Sequence, residues 1–208
     1  MTGQLFIISA PSGAGKTSLV HALLGATSGI GVSISHTTRA MRPGEMHGRD
    51  YHFVDPDTFS GMIDRGEFIE YALVFGNRYG TSRETVGAAL AAGQDLVLEI
   101  DWQGARRIRD LYPDAISVFV MPPSIGELRR RLEYRGEDGP AVIAARMQAA
   151  REEMSHYGEY QYLIVNDNFE RARADLEAIV RVARLATARQ QQTGAAAALE
   201  PMASGGTV

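Results

Sequence analysis

The stretch "SAPSGAGKTS", Ser9 to Ser18, follows directly on the apolar run "QLFII" and leads into the helical pattern "TSLVHALLG". A strand, a loop of small residues and then a helix form the context in which backbone N–H groups wrap phosphates at a helix N-terminus. Gly13 and Gly15 let the chain turn without a Cβ in the way, so Ala10, Pro11, Ser12, Gly13, Ala14 and Gly15 are expected to form the wrap. Lys16 is expected to reach the β- and γ-phosphates of a nucleoside triphosphate, and Thr17 to put its hydroxyl on Mg²⁺. Ala10 stands where the strict G-x-x-x-x-G-K-[ST] pattern has Gly, while the later glycines and the Lys-Thr pair are intact. Lys16 is also the one lysine among 21 basic residues. A compact ammonium on a flexible stem can slip under such a loop, where a planar guanidinium would be too broad.

Outward from this loop, short apolar runs alternate with amphipathic ones. "DLVLEI" precedes "GARRIRDLY", "AISVFVM" precedes "IGELRRRLEYRG", and "YLIV" precedes a helical pattern from Phe169 to about Arg189. Near-continuous apolar strands, each followed by a helix, indicate an α/β fold with a parallel sheet flanked by helices on both faces. A length of 208 residues suits one domain. The net charge of -4 argues against a general nucleic-acid binder. Absence of Cys excludes disulfides, thiolate metal sites and a Cys nucleophile, and suits a reducing compartment. The N-terminal apolar run is too short for a signal or a membrane span, so the cytoplasm is the expected location.

Between Ser33 and Tyr79 the texture becomes polar, Gly-rich and aromatic, with half-buried strand alternation and a short helical piece near Asp57 to Asp64. An insertion with its own small antiparallel sheet is expected here. A second irregular patch, "RRRLEYRGEDGPAVIAARM", reads as a mobile lid, and the low-complexity tail after about Arg189 as disordered. In the insertion, Arg39 and Arg42 stand three apart with Tyr51 nearby, and Tyr79 follows in "GNRYGTS". Forked arginine donors and tyrosine hydroxyls suit a phosphomonoester, although a solvated basic loop would have the same spacing. Ser35, Glu70 and Asp101 also cluster around this region. A carboxylate can accept both N1–H and N2–H₂ of guanine but repels the N1 acceptor of adenine, so a buried carboxylate pair would select guanine. The plainer readings are an exposed strand residue for Glu70 and a helix N-cap for Asp101. Period two puts Glu99 and Asp101 on one face at a strand end, where open α/β sheets place ligands. Glu99 is a candidate to hold waters of the Mg²⁺ ion in the Walker-B manner.

The blocks "SGAGKTS", "SHTTRAMRPGEMHGRDYHFV", "GEFIEYA", "GNRYGTS", "LEIDWQGA", "RRRLEYRG" and "EMSHYGEYQYLIVND" together resemble the bacterial guanylate kinase family, in the same order, over roughly residues 3 to 185. The resemblance implies a P-loop NTPase-type core (residues 1–32 and 82–185), a small mixed α/β GMP-binding insertion (33–81), a helical lid (about 124–146) and a tail (190–208). It implies that Ser35, Glu70, Thr81 and Asp101 hold guanine, and that Arg39, Arg42, Tyr51 and Tyr79 hold the GMP phosphate. Arg131, Arg135 and Arg146 would reach the transferring phosphates from the lid and the following helix, joining Lys16 and Arg39 as catalytic groups. Asn166 and Asp167 would run past the adenine. Three positions depart from the family's habit: Ala10 for Gly, Glu99 for Asp, and Gln161 for Asp before Tyr162.

The implied reaction is reversible transfer from MgATP to GMP, and to dGMP, within purine nucleotide recycling. It needs alignment and charge stabilisation rather than a strong base. Two other readings share the scaffold: a non-catalytic module binding a phosphopeptide, and a ribose bisphosphate kinase, which would have no use for Glu70 and Asp101. The expected partners are ATP and GMP, with neither nucleic acid nor membrane, and the sequence allows a homo-oligomer.

Overall fold

The computed structural model describes residues 2–134 and 139–192. Its main sheet has five strands: β1 (Leu5–Ser9), β2 (Ile30–Val32), β7 (Asp95–Glu99), β8 (Ile116–Met121) and β9 (Tyr162–Val165). Their order is β2-β7-β1-β8-β9, and every neighbouring pair is parallel. β1 lies at the centre with all five residues buried, which accounts for its apolar run from Leu5 to Ile8.

Helices α1 (Lys16–Ala26) and α7 (Phe169–Leu185) cover one face, setting Leu19, Leu23, Leu176 and Val180 against Phe6 and Ile8. Helices α3 (Arg83–Ala91) and α4 (Trp102–Leu111) cover the other, setting Val86, Ala105 and Ile108 against Ile7 and Leu98. Each βα crossover therefore delivers a strand's C-terminal end to one edge of the sheet, where the next helix begins.

The expected helix from Phe169 to Arg189 is broken at Ala186, whose extended ψ of 134° ends α7 before α8 (Thr187–Gln192). The break lets Arg184 and Arg189 converge on Asp95, which is 1% exposed. Asp95 Oδ2 accepts from Arg184 Nε at 2.8 Å, and Oδ1 accepts from Arg189 and from the Gln4 amide at 2.7 Å. Removing one partner of a buried ion pair strands the others, and both arginines here keep some access to water. Asp95→Ala is expected to cost about 2–3 kcal/mol of unfolding free energy, measured by urea titration.

The insertion holds β3 (His36–Thr37), β4 (His52–Phe53), α2 (Pro56–Asp64), β5 (Phe68–Val74) and β6 (Asn77–Ser82). Helix α2 starts where the sequence places it, with the Asp55 carboxylate accepting from the Thr58 amide and Pro56 in the first turn. The small sheet runs β4-β3-β6-β5 and is mixed rather than wholly antiparallel, because β4 pairs with β3 in parallel. A small core of Phe59, Met62 and Phe68 holds α2 to it.

The patch expected to be irregular is helical on both sides: α5 (Ile125–Tyr134) ends it at the front and α6 (Pro140–Ser155) takes up the rest. Pro140 opens α6 immediately after Gly139, a favourable start that the "GEDGP" composition disguised as a loop. The two helices pack through Leu128, Leu132, Ile143, Met147 and Ala150. Residues 135–138 and 193–208 lie outside the described part, so the expectations for Arg135 and for most of the tail fall there. No described helix is long and apolar enough to cross a membrane.

Candidate functional site

At the C-terminal end of β1 the chain passes through Ala10–Gly15 into α1. Gly13 and Gly15 have φ of 95° and 96°, a region that favours glycine. A Cβ on Gly15 would also strike the Asn166 side-chain nitrogen. Helix α1 has no acidic residue in its first turn, so its positive end is left for an anion. Glu99, at the end of β7, reaches both side chains of the loop's Lys-Thr pair. Its Oε2 accepts from Thr17 Oγ1 at 3.0 Å and lies 3.3 Å from Lys16 Nζ.

The loop is braced from behind. Asn166 Nδ2 donates to the Ala14 carbonyl at 2.8 Å, and the Asn166 main chain bonds to Met121. Arg131, on α5, donates to Asn166 O at 3.0 Å, to Ala14 O at 3.3 Å and to Glu127 Oε1 at 2.8 Å. Its guanidinium thus rests on the loop's main chain. Asn166, which the resemblance sets beside adenine, is 5% exposed and bonds to the loop. Leu128 and Leu132 pack under Gly13, where a Cβ would come within 3.0 Å and 3.1 Å of them.

Across a cleft of about 850 Å³ stands the insertion. Arg39 makes a two-pronged pair with Glu45, at 2.7 Å and 3.0 Å, and Glu45 Oε2 also accepts the Arg42 amide at 2.8 Å. The Arg39 guanidinium carbon sits 5.4 Å from the Tyr51 ring centroid, and the Tyr51 and Tyr79 rings are 5.8 Å apart. Burial, with the neighbouring Tyr79 and Glu99, pushes the Tyr51 hydroxyl up to about 12, so it remains a neutral donor. Arg39, Arg42, Tyr51 and Tyr79 all line the cleft, so this is no isolated solvated loop.

Glu70 is 4% exposed, which removes the reading of an exposed strand residue. Thr81, itself fully buried, donates to Glu70 Oε1 at 2.5 Å, so it holds the carboxylate in place. Burial pushes the Glu70 carboxyl up to about 7; the Thr81 bond opposes this and the Asp101 carboxylate adds to it. Asp101 does cap α4, accepting the Gly104 amide at 2.8 Å, and it lines the cleft as well. Gly104 allows this closeness, since a Cβ there would lie 2.6 Å from Glu70 Oε2. Ser35 lines the same wall.

Helix α6 forms the third side with Val142, Ala145, Arg146 and Glu153. Burial pushes the Glu153 carboxyl up to about 7, with Asp101 adding and Lys16 and the Ser12 amide opposing. Sequence reasoning missed Glu45, Glu153, the bracing role of Asn166 and the space kept by Gly104. Only Glu45 carried a signal, since it stands beside the arginines in "RPGE". Of the three departures, Ala10 packs against the main core at the cleft edge. Gln161 lies at the sheet edge, exchanging bonds of 3.1 Å with Ser117 in both directions.

For Mg²⁺ the donor set fits: a hydroxyl and a carboxylate adjoin the phosphate loop. Among the described residues no cluster of three or more His, Cys, Asp or Glu could hold a metal alone. An ion that keeps its waters and binds chiefly through nucleotide phosphates matches this economy of ligands.

A family model described as guanylate kinase matches residues 2–183. A guanylate kinase of Alkalilimnicola ehrlichii is 56% identical over 191 residues, covering 92% of this chain and 94% of the relative. That of Alcanivorax borkumensis is 57% identical over 188 residues, covering 90% and 91%. Among solved structures, the guanylate kinase of Anaplasma phagocytophilum superposes with a TM-score of 0.77 at 37% identity, covering 90% of this chain and 89% of that one.

Proposed function

This chain belongs to the guanylate kinase family, and from that premise we propose how its residues carry phosphoryl transfer from ATP to GMP. The family supplies the activity: the chain is a nucleoside monophosphate kinase that phosphorylates GMP at the expense of ATP. The observation that carries the residue assignment is that two anion-binding walls, one on the phosphate loop and one on the insertion, face a single cleft beside two carboxylates.

In this reading residues 10–17 cradle the ATP phosphates. Lys16 places its ammonium between the β- and γ-phosphates, released from Glu99 by the stronger pull of the triphosphate. Thr17 and Glu99 hold Mg²⁺ and its waters. Held there, the ion would supply positive charge to offset the negative charge of the transferring phosphates. Arg39, Arg42, Tyr51 and Tyr79 take the GMP phosphate, and Glu45 keeps Arg39 extended until that phosphate arrives. Glu70, aligned by Thr81, accepts from guanine with Asp101 and Ser35. Arg131, Arg135 and Arg146 come onto the transferring phosphates, and Arg131 also braces the loop through the Ala14 carbonyl. The acceptor phosphate is already anionic at neutral pH, so the rate comes from in-line positioning and electrostatic stabilisation. Closure of the insertion and α6 excludes water, which would otherwise hydrolyse ATP. A cytoplasmic setting and activity on dGMP belong to the same proposal.

A coupled assay of ATP against GMP, dGMP, AMP and a ribose bisphosphate tests it. Turnover is expected with GMP and dGMP, and at most a trace with AMP. Turnover of the ribose bisphosphate in place of GMP would overturn the assignment of Glu70 and Asp101.

A further inference from the structure

β5 and β6 pair through Val74 and Asn77, leaving a two-residue loop of Phe75 and Gly76. Their φ values are 49° and 77°, both in the left-handed region, as tight hairpins of this kind require. Asn-Gly is the favoured pair for such a loop, because Asn tolerates this backbone far better than a bulky side chain does. Phe75 is the only residue other than glycine with positive φ among the described residues. The chain therefore keeps a ring where local backbone chemistry disfavours it, and half of that ring's residue is exposed. Exceptions of this sort are held by something outside the turn.

What lies beside Phe75 is helix α6. The Arg146 guanidinium carbon is 6.0 Å from the Phe75 ring centroid, and Val142 and Ala145 line the cleft along with Phe75. Helix α6 in turn packs on Leu128 and Leu132, which lie under Gly13 of the phosphate loop. The hairpin tip thus touches the element that carries Arg146, and that element is continuous in packing with the donor site.

We infer that Phe75 is a positioning residue, whose ring clasps α6 to the insertion and orients Arg146 over the transferring phosphate. The inference rests on the reading of Arg146 as a phosphate ligand given above. A cation over an aromatic face gains as water leaves, so the contact strengthens on closure around both nucleotides. Phe75 should therefore influence kcat more than the binding of either substrate alone.

The test exploits the backbone. Phe75→Asn removes the ring and at the same time creates the preferred turn chemistry, so the melting temperature of the full chain is expected to stay level or rise. Its kcat in the ATP/GMP assay is expected to fall roughly tenfold, with KM for either nucleotide changing less than about threefold. Phe75→Tyr keeps the aromatic face and should retain wild-type kcat. In an Arg146→Ala background, Phe75→Asn should add no further loss. Phe75→Gly accepts the same φ and replaces Phe75→Asn should the latter not fold. Wild-type kcat in Phe75→Asn, with Arg146→Ala impaired, overturns the clasp alone, as does full additivity of the two losses. Wild-type kcat in Arg146→Ala overturns the reading of Arg146, and the inference with it.

Discussion

Lys16→Ala lowers kcat by about 10³-fold or more, the loss expected when a main charge on the transferring phosphoryl group is removed from an enclosed site. GMP affinity, measured by calorimetry without ATP, is expected to stay within about twofold of wild type, because the proposed GMP contacts lie on a different wall of the cleft. The side chain pairs with Glu99 at 3.3 Å beneath a loop packed on Leu128, Leu132 and Asn166. Lys16→Arg is expected to restore little. The guanidinium fork is wider than an ammonium, and the braced loop cannot open for it without losing the Asn166 and Arg131 bonds to Ala14. Full activity in Lys16→Ala would remove the phosphate loop from the chemistry.

Glu70→Gln weakens GMP by about 10²-fold and narrows the preference over AMP, since an amide places a donor where guanine also donates. Thr81 still bonds to the side chain, so the fold is expected to survive. The effect carries a pH signature. Burial pushes the Glu70 carboxyl up to about 7, and in the proposed assignment the carboxylate is the form that accepts from guanine. The ratio of wild-type to variant GMP affinity therefore rises with pH up to about 7 and levels off above it. Taking the ratio cancels the ionisation of the GMP phosphate, which both proteins share. For stability the sign is opposite: a carboxyl raised above its ordinary value favours the folded state at low pH. That contribution is lost as pH rises through about 7. A flat affinity ratio would take Glu70 out of the guanine site.

How legible these features were depended on the distance over which each is determined. The phosphate loop could be read because strand, glycines, Lys16 and Thr17 are contiguous, and each of them acts through local backbone geometry. The alternation of apolar runs with amphipathic ones revealed the parallel sheet, because interior strands must be apolar on both faces. The short helical piece near Asp57 to Asp64 was legible too, and the structure starts it one residue earlier, at Pro56 with Asp55 as its cap. The lid was harder. "GEDGP" reads as a loop, and only packing of Ile143, Met147 and Ala150 on α5 makes the following segment a helix of 16 residues. β4 escaped the expectation of an antiparallel sheet because strands of two residues carry no periodicity.

The order of blocks along the chain, and the chemistry each residue type can offer, were determined by the sequence by itself. It named Glu70, Asp101, Arg39 and Tyr51 as a set but left each with a plainer reading. Tertiary structure showed which of them are buried and which share one cleft, because burial and charge proximity are properties of segments that meet only on folding. Burial raises Glu70 to about 7, and Asp101, some thirty positions away, adds to the shift. That Arg131 and Asn166 both donate to the Ala14 carbonyl was likewise visible only in the folded chain. Phe75 drew no notice in the sequence, and it is the hairpin turning there that brings its ring beside Arg146 of α6. No periodicity announces such a contact, since it depends on where two separate elements end in space.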